Sequence, residues 1–116
     1  MGEKEKGTFK KYKVSITENA SRNIDEITGY IAFIKKEPLN AARIGDKFFS
    51  VLERIELNPF AFKECPELRT KSRIYRQAKC LSWIIIYKIN LQDVLILGIL
   101  HAARKPGEKK LLKKAT

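Results

Sequence analysis

Residues 17–59 read TENASRNIDEITGYIAFIKKEPLNAARIGDKFFSVLERIELNP, and the spacing of the apolar residues in this stretch decides the fold. Ala20, Ile24, Ile27, Ile31 and Ile34 recur at steps of four, three, four and three, which lines one face of a helix. Thr17 or Asn19 can cap its start, and Glu18 stands near the positive end of the helix dipole. Lys35 and Lys36 meet the negative end. Pro38 cannot extend the helix and restricts Glu37 before it. A second stripe follows at once: Ala41, Ile44, Phe48, Val51 and Ile55, widened by Phe49 and Leu52, with Asn40 as its cap and Asn58-Pro59 as its stop. Helices near 18–36 and 40–58, joined by a few residues, must run antiparallel as a hairpin.

On the N-terminal side, Phe9–Ile16 alternates, with Tyr12, Val14 and Ile16 on one face and Lys11, Lys13 and Ser15 on the other, so 9–16 reads as a half-buried strand. Residues 1–8 are polar, carry two glycines and read as a flexible lead. Beyond the hairpin, Phe60–Lys71 is a loop, and three runs with strand character follow near 72–79, 81–89 and 94–102. Trp83, Ile85, Tyr87 and Ile89 share a face, and Asn90-Leu91-Gln92-Asp93 turns the last two strands into a β-hairpin. Pro106-Gly107 ends the pattern, leaving 106–116 as a Lys-rich, mobile tail. The order β-α-α-β-β-β predicts one α+β domain over 9–105, a long helix hairpin on one face of a mostly antiparallel four-stranded sheet. The other sheet face is expected to be at least partly solvated.

The charge is distributed unevenly. The net charge is +11, from 24 Lys+Arg against 13 Asp+Glu. Residues 18–58 carry a net −1, whereas 1–13 carry +3, 63–88 carry +5 and 104–116 carry +5. A basic surface on a neutral scaffold fits nucleic acid or an acidic protein partner. The apolar content of 44% excludes a disordered polyelectrolyte. Cys65 and Cys80 form no metal or redox spacing; with no secretory signal ahead of them they read as reduced thiols in a cytoplasmic protein, a bridge between them being the lesser alternative. The apolar runs Trp83–Tyr87 and Val94–Leu100 are too short to span a membrane.

No phosphate-cradling glycine loop, zinc spacing or nucleophile elbow is present, so no metal and no cofactor is expected. What remains is a basic set: Arg69, Lys71, Arg73, Arg76 and Lys79 on and before the second strand, then His101, Arg104 and Lys105 after the last, with the tail lysines 109–114. These are expected to converge on one end or face of the sheet. His101, the only histidine, is either a general acid/base for phosphodiester cleavage or a strand-end histidine bonded to backbone. Arg104 either neutralises a phosphate or is a solvated charge. Tyr75, Tyr87 and Trp83 read first as sheet residues and second as stacking groups.

The ordered set of short motifs resembles the RelE/ParE superfamily of bacterial toxins from type II toxin–antitoxin, or plasmid-stabilisation, modules. It comprises Tyr12-Lys13-Val14-Ser15-Ile16-Thr17 with Ala20, Ile27-Thr28-Gly29-Tyr30-Ile31, Pro38-Leu39-Asn40-Ala41-Ala42, Ile55-Glu56-Leu57-Asn58-Pro59, Ser82–Ile89 and Asp93–Arg104. The resemblance covers about residues 10–105. It implies a toxin held in a hetero-oligomer by a cognate antitoxin. RelE-like members cleave ribosome-bound mRNA with basic residues and a late Tyr or His; ParE-like members poison DNA gyrase without established nuclease chemistry. After Arg104 this chain has no Tyr or His and one carboxylate, Glu108, and its two helices are long and matched, so the resemblance points to the ParE side. Lys105-Pro106 departs from that side, where an acidic residue often follows the arginine. The residues implied are His101, Arg104 and Arg76 for any catalysis, and Arg69, Arg73, Arg76, Lys79, Arg104 and Lys105 for target or antitoxin contact. Outside the family, a non-catalytic basic module that binds nucleic acid is the other class.

Overall fold

The first strand, β1, spans Lys13–Ile16. This computed structural model describes residues 11–103 and 106–115, so the flexible lead expected over 1–8, the expected strand start at Phe9, and Arg104 and Lys105 lie outside the described residues. Helix α1 spans Glu18–Gly29. Its cap is Thr17, whose hydroxyl accepts the Ala20 N–H at 3.1 Å. Asn19, the other candidate cap, serves elsewhere: its amide donates to the Leu97 carbonyl at 3.0 Å.

The helix continues as one π-helical turn, Tyr30–Ile34. Its extra residue per turn rotates the face, so Ile34, expected on the buried stripe, is 67% exposed while Ala20, Ile24 and Ile31 stay buried. Lys36, in the left-handed region at φ 58°, closes the turn, with the Glu37 N–H donating to the Ile31 carbonyl at 3.0 Å. Helix α2 spans Pro38–Leu57 and so starts two residues before the expected boundary. Asn40 is therefore not its cap. Pro38 stands at the first helical position, where a missing N–H costs nothing, and Glu37 occupies the cap position. Ala41, Ile44, Phe48, Val51, Leu52 and Ile55 are buried; Phe49 stays half exposed.

Strands β2 (Tyr75–Cys80), β3 (Trp83–Asn90) and β4 (Asp93–His101) follow. Arg73, at φ 56°, breaks the extended path, which is why β2 begins at Tyr75 and not near 72. The sheet order is β1-β4-β3-β2, with β1 parallel to β4 and the other pairs antiparallel. Both β-hairpins have two-residue loops, and each places a leucine, Leu81 or Leu91, at positive φ.

β4 carries a bulge. Tyr87 faces Ile96 and Ile86 faces Gly98, so Leu97 is an extra residue. Because of it, Val94, Ile96 and Ile99 all face the helix hairpin, while Leu95, Leu97 and Leu100 face the other way. Helix α1 absorbs the irregularity. The Leu97 carbonyl accepts from Thr17 Oγ1 at 3.2 Å as well as from Asn19, and the Ile99 N–H donates to Asn23 Oδ1 at 2.9 Å.

The main core lies between hairpin and sheet, as the stripes predict. The opposite sheet face departs from expectation. Leu68, Tyr75, Ile86, Leu97, Cys65 and Leu112 form a second buried cluster there. It is covered by a turn at Pro66–Leu68 and by the C-terminal segment, which is helix α3 (Pro106–Leu111) followed by a 3₁₀ turn, Leu112–Ala115. The segment read as a mobile tail is thus a cover. Leu112 packs over Gly98, and Lys109 pairs with Glu67 at 3.2 Å, both side chains largely buried. Cys65 and Cys80 are free thiols and belong to different clusters.

Candidate functional site

Register separates the basic set that the sequence groups together. Cys80, Trp83 and His101 stand in one row at one end of the sheet. Tyr75, Lys88, Leu95 and Ser15 form a row toward the other. Arg69 and Arg73 precede β2 and belong with the Tyr75 end, with Arg76 one residue further on. Lys79 lies beside Cys80, in the row of Ile84 and Leu100, next to the His101 end.

Arg76 is committed to structure. Its Nε donates to the Arg73 carbonyl at 2.9 Å, its Nη1 donates to the carbonyls of Phe62 at 2.9 Å and Phe60 at 3.3 Å, and the guanidinium lies over the Phe60 ring at 5.2 Å. It braces the loop after α2, which has no ladder of its own to satisfy those carbonyls. Beside it, the buried Tyr87 hydroxyl donates to the Pro59 carbonyl at 2.6 Å. Burial pushes the Tyr87 pKa up, only partly offset by Arg76, so this phenol keeps its proton and acts as a strut. Arg73 pairs with Glu64 at 3.5 Å but remains 66% exposed. Tyr75 is buried, as the sheet reading has it.

His101 is exposed, and its Nδ1 accepts the Ala103 N–H at 3.1 Å. In the neutral ring this leaves the proton on Nε2. The ring meets the edge of Trp83 at 6.2 Å, and Trp83 in turn meets Phe48 at 5.6 Å. The imidazole borders a cleft of about 770 Å³ between α1 with its π-turn and the ends of β3 and β4. Glu26 and Tyr30 line the same cleft. Sequence reasoning missed these two. Their four-residue spacing puts them on one helix face, but only the packing of α1 against the ends of β3 and β4 brings that face to the cleft that His101 borders.

The arrangement offers two separate surfaces. One is a cleft with an imidazole, a carboxylate and a phenol. The other is a set of cations at the opposite end of the sheet, of which Arg76 is tied to backbone.

A family model described as the ParE toxin of the type II toxin–antitoxin system, parDE, matches residues 14–106. The chain belongs to the ParE toxin family. Solved structures agree on the fold. A chain of the chromosomal ParDE toxin–antitoxin system from P. aeruginosa is similar with a TM-score of 0.61 at 14% identity, over 78% of this chain and 95% of that one. A chain of the toxin–antitoxin complex RelBE2 from Mycobacterium tuberculosis is similar with a TM-score of 0.52 at 19% identity, over 78% and 98%. Comparison with curated proteins finds no match.

Proposed function

We propose that this chain arrests growth by binding a protein target, DNA gyrase, without cutting RNA, and that a cognate antitoxin neutralises it. The observation that carries this reading, among the described residues, is the separation of His101 from Arg69, Arg73 and Arg76; Arg104 and Lys105, next to His101 in sequence, lie outside them. Cleavage of RNA by its own 2′-hydroxyl needs an acid, a base and positive charge around one phosphate, each within hydrogen-bond reach. Arg76 and His101 lie two strands and several residues apart, a Cα separation on the order of 15 Å from strand geometry, and the Arg76 guanidinium is already held by backbone carbonyls. The family match favours the same side, and both solved neighbours come from toxin–antitoxin systems, which supports a cognate antitoxin partner in a hetero-oligomer. Gyrase lies in the cytoplasm, and among the described residues no helix is long and apolar enough to cross a membrane.

Two assays on the purified chain test this. Gyrase supercoiling should stop, while mRNA on stalled ribosomes stays intact. His101→Ala should leave gyrase inhibition within a few-fold. Codon-specific cleavage, reduced about 10²–10⁴-fold by His101→Ala with the fold intact, would overturn the proposal and assign His101, with Glu26 or Tyr30 across the cleft, to an mRNA-cleaving site. A chain that binds nucleic acid and causes no arrest would be a plain accessory module.

A further inference from the structure

A groove of about 270 Å³ crosses β1, β4 and β3 on the sheet face away from the helix hairpin, at the end far from His101. Lys13, Ser15, Lys88 and Asn90 line it, and among the described residues Asp93 is the one acid that does. Two ammonium groups converge beside it on a single ring: Lys88 Nζ lies 5.9 Å from the Tyr75 centroid and Lys113 Nζ 5.1 Å from it. The ring's negative face holds together charges that otherwise repel. Two lysines, from β1 and β3, are thus presented in the groove beside a hydroxyl and an amide, with Lys113 of the C-terminal turn held against the same Tyr75 ring.

We propose that this groove binds the phosphate backbone of duplex DNA. Ammonium, hydroxyl and amide donors are the side-chain groups that position proteins on phosphates. The buried centre of a protein–protein interface is more apolar than its rim and poor in charged residues. Here the apolar side chains at the groove are Val94, which is buried, and Leu95, which packs into the second core, so a polyanion fits better than a folded acidic surface. Asp93 sets a limit by offsetting one of the lysines. The inference goes beyond gyrase inhibition: it gives the chain a contact to DNA itself, read without gyrase present, so either proposal can fail alone.

The test is fluorescence anisotropy of the full chain with a labelled duplex of about 20 base pairs across a salt series. Lys13→Gln/Lys88→Gln keeps the fold's apolar stems in place and removes two charges; Lys35→Gln/Lys36→Gln removes the same charge from the tip of the helix hairpin. The groove variant, with an unchanged circular dichroism spectrum, should bind roughly 50-fold more weakly near 0.1 M salt and lose about two units from the slope of log K against log salt. The tip variant should match the parent chain. Equal loss in both variants, or loss in neither, refutes the site. Tighter binding to poly-L-glutamate or to single-stranded RNA than to the duplex, at the same salt, reassigns the groove to an acidic protein or to RNA and overturns the proposal.

Discussion

Gly98→Ala is the sharpest test of how the two cores share one strand. A Cβ at Gly98 would stand 2.8 Å from Leu112 Cδ2, 3.0 Å from Asn19 Nδ2 and 3.2 Å from Asn23 Oδ1. The first contact pushes against the C-terminal cover. The other two push against the amides that hold the Leu97 carbonyl and the Ile99 N–H at the bulge. Leu112 has a flexible end and can swing, but it is buried over the second core, so moving it opens apolar surface. The amides have no such freedom without breaking their bonds. Overpacking of this kind costs about 1–3 kcal/mol; with three contacts and one that can yield, about 2 kcal/mol is expected. Urea unfolding followed by circular dichroism reads this as a lower midpoint at unchanged slope. A double-mutant cycle with Leu112→Ala separates the contacts. That change removes the atom closest to the new methyl, so the pair should couple by about 1 kcal/mol in the compensating direction. Gly98→Ala within about 0.5 kcal/mol of the parent, or additivity with Leu112→Ala, would refute the placement of the C-terminal turn on β4.

Thr17→Val removes both the cap on the Ala20 N–H and one donor to the Leu97 carbonyl. It should cost about 1–2 kcal/mol in the same unfolding assay. Lys109→Met breaks the pair with Glu67, and since both side chains are largely but not wholly buried the loss should be about 2 kcal/mol near neutral pH. Burial tends to raise the Glu67 pKa, but the Lys109 ammonium outweighs it and holds the carboxyl below its ordinary 4.5. A depressed carboxylate adds stability above its unfolded value and loses it as pH falls through the folded one, so the gap between parent and Lys109→Met should be flat near neutrality and close below that range. A gap that widens in acid would contradict the pairing. Leu91→Gly relieves a left-handed residue whose side chain is almost fully exposed, and a gain of about 0.5–1 kcal/mol is expected by thermal melting. A loss there would mean that Leu91 packs on something in the folded chain.

The helix hairpin was legible because each helix meets the core on one face only, so its apolar residues fall at one period and cannot be read otherwise. The π-turn and the β4 bulge were not legible, since each inserts one residue among apolar neighbours without a polar marker; Gly98 is the single local hint. The covered second face was written in the sequence but read too narrowly. Val94–Leu100 is apolar at both parities, and a strand apolar on both sides must be buried on both sides. The cover had to come from somewhere, and Leu111-Leu112 in a Lys-rich tail was the only pair of large apolar residues left after the sheet. The same kind of reasoning would have split the basic cluster. In a β2-β3-β4 meander, the start of β2 and the start of β4 share an end, because β3 runs back between them. Arg69 and Arg73, ahead of β2, and His101, at the close of β4, are then bound to opposite ends of the sheet whatever their side chains do. Proximity along the chain suggested one site; strand direction requires two. What direction does not reveal is which cations remain available. Arg76 is spent on carbonyls of a loop that no periodicity locates, whereas Lys13 and Lys88, from strands far apart in sequence, meet across β4 only because β1 docks parallel to it. The basic surface is therefore set by the sheet order rather than by the density of lysine along the chain.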